Sequence, residues 1–246
     1  MTEGALIWDF DGTLAFRQGM WSGTILDILR WAFPGLEVTR DEVRPFIRDG
    51  FPWHRPEEVH PETADADLWW KNVQHILEKP FLAFGAEPGR ASELAGLVRT
   101  EYCRPGSWSL YDDTEETLER LSAYGWKHYV LSNHVPELPE IAGSLGLDRL
   151  LEGVFSSALT GIEKPNREAF LSLLRMLPDS CAVVMIGDSM EADVLGARNL
   201  GIPAILVRKP ARPGVLHSED LAGTVPLIDG IPLTRIADII GDRSGL

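Results

Sequence analysis

The chain has 246 residues, 44% of them apolar and 24% charged, with no biased tract. That is enough for one large domain, or for a domain with a smaller one inserted in it. Its net charge of −14 argues against non-specific attraction to nucleic acid or an anionic membrane. A small anionic substrate stays possible, because a metal ion or one or two cationic side chains can reverse the sign locally.

The two cysteines, Cys103 and Cys181, are far apart. They suggest no disulfide framework and fit a reducing compartment; Cys181 opens an apolar run and reads as a core residue. The stretch "MTEGALIW" lacks the basic and long apolar regions of a signal peptide. No apolar run approaches the length of a membrane span. The expectation is a soluble, cytoplasmic protein without nucleic-acid or membrane partners, monomeric or homodimeric.

In chain order, the first element is "ALIW" at 5–8, which runs into "DFDGTL" at 9–14. "DG" after a strand is a common hairpin signal. Yet residues two apart in an extended chain share a side, so Asp9 and Asp11 would share one small volume. Two like charges held together need a cation or a proton to offset them.

The next ninety or so residues show no convincing strand. Helical spacing runs through Trp21, Ile25, Ile28, Leu29 and Ala32, then Trp69, Val73, Ile76 and Leu77, then Ala91, Leu94, Ala95, Val98 and Tyr102. "TRDEV" at 39–43 starts another helix. This predicts an all-helical insert over 16–105, holding Trp21, Trp31, Trp53, Trp69 and Trp70, most of them as core. The remainder, 1–15 and 106–246, alternates apolar runs with helical patterns. The runs are "KHYVLSN" at 127–133, a weaker "GVFSS" at 153–157, "CAVVMIG" at 181–187 and "PAILV" at 203–207. Helices are expected over 112–123, 166–177 and 190–200, the last between Ser189 as N-cap and Gly201 as stop, with one more at "LTRIADIIGD". Alternation of this kind means an α/β, Rossmann-like parallel sheet.

Ligands of such sheets sit beyond the carboxyl ends of the strands. There the chain places Asp9 and Asp11, Ser132 and Asn133, Lys164 just after the weak strand, and Asp188, Ser189 and Asp193. Carboxylates bind Mg²⁺, and one can act as a nucleophile towards phosphorus. A lysine and a hydroxyl offset the charge of anion meeting anion, and a second carboxyl can serve as general acid and base. His60, His75, His128 and His217 form no cluster with metal-ligand spacing.

"DFDGTL", "LSN", the "KP" pair and "GDSMEAD" stand in the order of the four motifs of the haloacid dehalogenase superfamily, and the insert resembles its helical C1 cap. The whole chain resembles the phosphatase type, near the phosphoglycolate phosphatase-like subfamily. The resemblance implies a core with strand order 5-4-1-2-3 and an Mg²⁺-dependent phosphatase acting on a small phosphorylated metabolite through an aspartyl-phosphate. It implies Asp9 as nucleophile and metal ligand, and Asp11 as general acid/base, with its backbone carbonyl on the metal. It implies Ser132, with Asn133 nearby, and Lys164 as phosphate binders, Asp188 as a metal ligand, and Asp193 more remote from the metal. Asp at position 11 matches phosphatases rather than the dehalogenases, whose halide leaves without a proton. A sugar phosphomutase shares these core residues, and a non-catalytic binding protein on the same scaffold is the alternative of another class. In capped relatives a loop between cap helices reaches over the site. Here it is "RDGFPWHRPEEVHP" at 48–61, which offers Arg48, Trp53 and His54 as specificity residues or, more plainly, an inter-helix loop packing Trp53 into the bundle.

Overall fold

A computed structural model of the chain describes residues 4–61, 64–208, 227–229 and 233–240. Strand β1 (Gly4–Trp8) is buried at all five positions, as a strand covered on both faces must be. It pairs in parallel with β4 (Trp126–Ser132) on one side and β6 (Ala182–Gly187) on the other. Outside these lie β5 (Leu151–Ser156), β7 (Ala204–Arg208) and, at the far edge, β8 (Leu227–Asp229), all parallel to their neighbours. The order is β5-β4-β1-β6-β7-β8. Counted along this sheet's own strands, it is the expected 5-4-1-2-3 arrangement with a sixth strand added at one edge. From β1 the chain winds outward through β4 to β5, then crosses back to β6 on the other side of β1, so the switch point lies at the carboxyl end of β1.

Alternation along β1 sorts the core. Leu6 and Trp8 join one apolar cluster with Leu118 and Leu121 of α5 (Thr114–Ala123) and Ile236, Ala237 and Ile240 of α9 (Thr234–Ile240). Ile7 faces the opposite cluster, with Phe170 and Leu173 of α7 (Arg167–Leu174) and with Val194 and Ala197. Trp8 Nε1 donates to His128 Nδ1 at 3.0 Å, so His128 Nε2 carries the proton for the Leu118 carbonyl, also at 3.0 Å. Burial holds that imidazole neutral, with its pKa down at about 4.

The segment after β1 is mainly helical: α1 (Met20–Ala32), α2 (Arg40–Val43), α3 (Ala66–Ala83) and α4 (Pro88–Cys103). The buried faces of α3 and α4 carry the expected periodic residues, and that of α1 carries Ile25, Ile28 and Leu29, with Trp21 and Ala32 only partly buried. Asp65 caps α3 by accepting from the Asp67 and Leu68 N–H groups.

Several expectations are corrected. The segment is not strand-free: β2 (Ala15–Arg17) pairs antiparallel with β3 (Trp108–Leu110). Trp31 is 65% exposed and lies against the Arg90 guanidinium, outside the core. The helix at "TRDEV" is a single turn, followed by a 3-10 turn over Arg44–Ile47. The helix after β6 opens as a π-helix, Met190–Leu195, before α8 (Gly196–Arg198). Cys181 precedes β6 and is only half-buried. An unanticipated helix, α6 (Leu138–Ser144), follows β4. His217 lies outside the described residues.

Candidate active site

Four chain-distant pieces converge at the carboxyl ends of β1, β4 and β6. Asp9 follows β1 directly, and its N–H still donates to the Ile186 carbonyl at 2.8 Å, so the sheet holds its backbone. The next turn closes tightly: the Thr13, Leu14 and Ala15 N–H groups all reach the Phe10 carbonyl. Gly12 sits there at φ +89°, a conformation that a side chain disfavours.

The Asp9 side chain is held from two sides. Its Oδ1 accepts from Ser132 Oγ at 2.8 Å and from Lys164 Nζ at 2.9 Å. Its Oδ2 takes no hydrogen bond from the described residues. Lys164 is 2% exposed and donates also to Asp193 Oδ1 at 2.5 Å. Burial alone would lower the ammonium pKa; the charges of Asp193 and Asp9 overcome it and raise it. With two carboxylates to one ammonium, buried Asp193 is pushed up to about 6, by burial and by the Asp9 charge against the pull of Lys164.

The surroundings fix this triad. Asp193 Oδ2 accepts from the Ser189 N–H at 2.9 Å, so both its oxygens are engaged. A Cβ on Gly187 would lie 2.1 Å from Asp193 Oδ2, so the close approach requires glycine. Asn133 clamps the backbone of Lys164: its Nδ2 donates to the Lys164 carbonyl at 2.8 Å and its Oδ1 accepts from the Lys164 N–H at 2.7 Å. The geometry therefore gives Asn133 a positioning contact with the lysine. The Lys164–Pro165 peptide is cis.

The oxygens of Asp9, Asp188 and Asp193 lie within 4.8 Å of one another. An all-carboxylate set of this spacing suits a hard divalent cation. Asp193 already serves Lys164 and Ser189, which leaves Asp9 and Asp188 the better placed of the three. Asp11 lines the same cleft, and so do Arg48, Trp53 and His54. The cleft has a volume of about 700 Å³. Trp53 both faces it and stacks on Phe51, with centroids 4.7 Å apart and planes 6° apart. His54 Nδ1 accepts from the Phe51 N–H at 3.2 Å, and burial lowers its pKa.

Other residues at the site gave weaker signals in the sequence. His134, next after the "LSN" stretch, is fully enclosed by Phe10, Tyr102 and Trp108. Burial takes its pKa down to about 4, and neither ring nitrogen has a partner among the described residues. Glu163, one residue before the lysine, is 1% exposed, and burial raises its pKa to about 7. Glu137, at the start of α6, binds across to the helical segment: it accepts from Trp70 Nε1 at 3.0 Å and from Arg99 Nε at 2.6 Å. The loop over the cleft is tied to the lysine loop by the His60 N–H on the Gly161 carbonyl at 2.7 Å.

Among the described residues no helix is long and apolar enough to cross a membrane. In sequence the chain is 28% identical over 156 residues to haloacid dehalogenase-like hydrolase domain-containing protein 3 of Danio rerio, covering 63% of each. It is 32% identical over 140 residues to a ribulose-1,5-bisphosphate 5-phosphatase of Halopiger xanaduensis, covering 56% of this chain and 57% of that protein. These matches span less than two thirds of either relative. In fold it is similar to the hydrolase-family protein YfnB of Bacillus subtilis, with a TM-score of 0.70 at 20% identity over 98% of this chain and 99% of that one. Residues 4–201 match the haloacid dehalogenase-like hydrolase family as a whole, and the chain belongs to that family.

Proposed function

We propose that the protein is a phosphatase that hydrolyses a small phosphomonoester through a phosphorylated Asp9. The observation that carries the reading is the state of Asp9: Oδ1 is pinned by Ser132 and Lys164, while Oδ2 takes no hydrogen bond from the described residues. A carboxylate held in this way has one oxygen fixed and one available to attack, which is what an oriented nucleophile needs. The phosphatase among the sequence relatives supports the same reaction class.

In the proposed sequence, Asp9 Oδ2 attacks phosphorus and the bond from phosphorus to the leaving alcohol breaks. Asp11, two residues on and lining the same cleft, gives its proton to the leaving oxygen. Asp11 then takes a proton from the water that attacks the aspartyl-phosphate, which releases phosphate and restores Asp9. Lys164 and Ser132 hold the charge of Asp9 and of the non-bridging oxygens. The oxygen donors suit Mg²⁺, with Asp9, Asp188 and the Asp11 backbone carbonyl as its ligands. When bound, the ion supplies positive charge where two anions meet. Asp193 and Asn133 act through Lys164 by fixing its ammonium and its backbone. Residues 16–105 serve as a cap over a core of 1–15 and 106–246, and Arg48, Trp53 and His54 face the leaving group.

The test is phosphate release from an activated aryl phosphate. EDTA should abolish it and Mg²⁺ should restore it. Full turnover in a chelated, metal-free sample would overturn the metal assignment, and no turnover with Mg²⁺ on any phosphomonoester would overturn the reaction.

A further inference from the structure

The cleft has two unlike walls. On the sheet side stand Asp9, Asp11, Ser132, Lys164 and Asp188. Opposite them the wall is aromatic. Trp53 stacks on Phe51, Phe51 lies 4.7 Å from Trp21, and Trp21 stacks on Tyr102 at 4.1 Å and 15°. Phe51 and Tyr102 are each only 1% exposed. Trp21 and Trp53 are the two rings of this ladder left partly exposed, and both line the cleft, with Met20 beside them.

Polar partners are sparse on that wall. Arg48 is the one arginine or lysine on that wall among the described residues, and Asp49 follows it at the cleft. His54 is biased towards its neutral form by burial. Glu191 adds another negative charge at the cleft, and Lys164 is bound to Asp9 and Asp193. A leaving group with a second phosphate or a carboxylate would meet one arginine among several acids. A polyhydroxylated one would lose water and find few hydrogen bonds in return, which costs free energy. A flat ring, by contrast, meets a preassembled aromatic surface that needs no ordering on binding.

We propose that the cleft takes a phosphomonoester whose leaving alcohol carries a neutral, flat aromatic ring on the scale of a nucleoside, and disfavours leaving groups with a second anionic group. This rests on the reading of Asp9 as the group that accepts the phosphoryl. The inferred contact residues are Trp21 and Trp53.

The experiment compares kcat/KM, with Mg²⁺, for thymidine monophosphate, phosphoglycolate and fructose bisphosphate. Acetyl phosphate serves as a small activated substrate without a ring. Thymidine monophosphate should exceed phosphoglycolate and fructose bisphosphate by at least ~10-fold, the worth of one good ring contact. Trp53→Leu should raise KM for thymidine monophosphate by about 10-fold with a smaller change in kcat, and Trp53→Phe should recover most of it. Equal or better use of phosphoglycolate or the bisphosphate, with acetyl phosphate hydrolysed, overturns the ring site and leaves the phosphatase reading intact. An equal loss on acetyl phosphate and thymidine monophosphate in Trp53→Leu also overturns it, by showing that Trp53 acts through packing. If not even acetyl phosphate is hydrolysed, the phosphatase reading fails. The ring site is then read by binding to Asp9→Asn: thymidine monophosphate should quench tryptophan fluorescence at a concentration at least ~10-fold below phosphoglycolate, and the absence of that difference overturns it.

Discussion

The two walls of the cleft differ in how completely their polar atoms are tied down. On the sheet wall, Asp9 Oδ1, Lys164 Nζ, both oxygens of Asp193 and the amide of Asn133 are held by named partners within 3 Å. On the helical wall, Arg48 has no hydrogen bond or ion pair among the described residues, and 30% of the His54 side chain is exposed. A fixed wall suits chemistry, which fails when reacting groups are misplaced by about 1 Å. A looser, ring-lined wall suits selectivity and can vary without disturbing the chemistry. This division can be broken or sharpened by substitutions on each side.

The largest effect belongs to Asp9. Asp9→Asn should lower kcat by at least ~10³-fold, as the removal of other catalytic nucleophiles does, with the fold kept by circular dichroism. Phosphate release near the wild-type rate would refute the role of Asp9.

Removing the lysine tests the fixed wall as a structure. Lys164→Met leaves Asp9 and Asp193 buried without their shared cation, and should destabilise the fold by about 3–5 kcal/mol. Urea unfolding measures this. A midpoint unchanged from wild type would mean that the triad is not held as described.

Glu163 tests the backing of that wall. Its folded pKa of about 7 lies above its unfolded value of 4.5, so its contribution is fully present below pH 4.5 and is lost as the pH rises through 7. That loss is worth up to about 3 kcal/mol. Glu163→Gln lacks it, so the variant should gain stability relative to wild type between pH 5 and pH 8. His128 and His134, with folded pKa values of about 4, work the other way: their contribution is lost as the pH falls from 6.5 through 4. Both proteins carry these histidines, so the difference isolates Glu163. A constant difference across the range would contradict the buried, raised carboxyl.

The smallest effects belong to the looser wall. Arg48→Ala and His54→Ala should each lower kcat/KM for the preferred phosphomonoester by about 10-fold, or ~1.4 kcal/mol. Stability should change by no more than about 0.5 kcal/mol, as for surface positions. Parallel losses in activity and thermal midpoint would move these residues into the packing of the helical segment.

Much of this arrangement was legible in the sequence. The buried runs fixed β1, β4, β6 and β7 within a residue or two, because strands covered on both faces leave a continuous apolar signal. The residues at their ends were legible because a parallel sheet gathers its strand ends in one place. Three-residue strands such as Ala15–Arg17 carry too few positions for a period, which hid the β2–β3 ribbon. Ser189 and Gly201 marked the ends of the helix after β6 but could not show that its first turns are π-wound. The Asn133 clamp on Lys164 spans 31 residues, and nothing local in "LSN" points to it. Trp31 lies off the periodic stripe of α1 and turns to solvent beside Arg90, so counting the tryptophans of the insert could not tell which of them is core.

The central claim is that Asp9 Oδ2 attacks phosphorus and water attacks second. The most direct test is the stereochemical course at phosphorus, read by transfer from an isotopically chiral phosphomonoester to an acceptor alcohol. Two in-line displacements predict overall retention of configuration. Inversion would show a single displacement, with no phosphorylated aspartate, and would contradict the account.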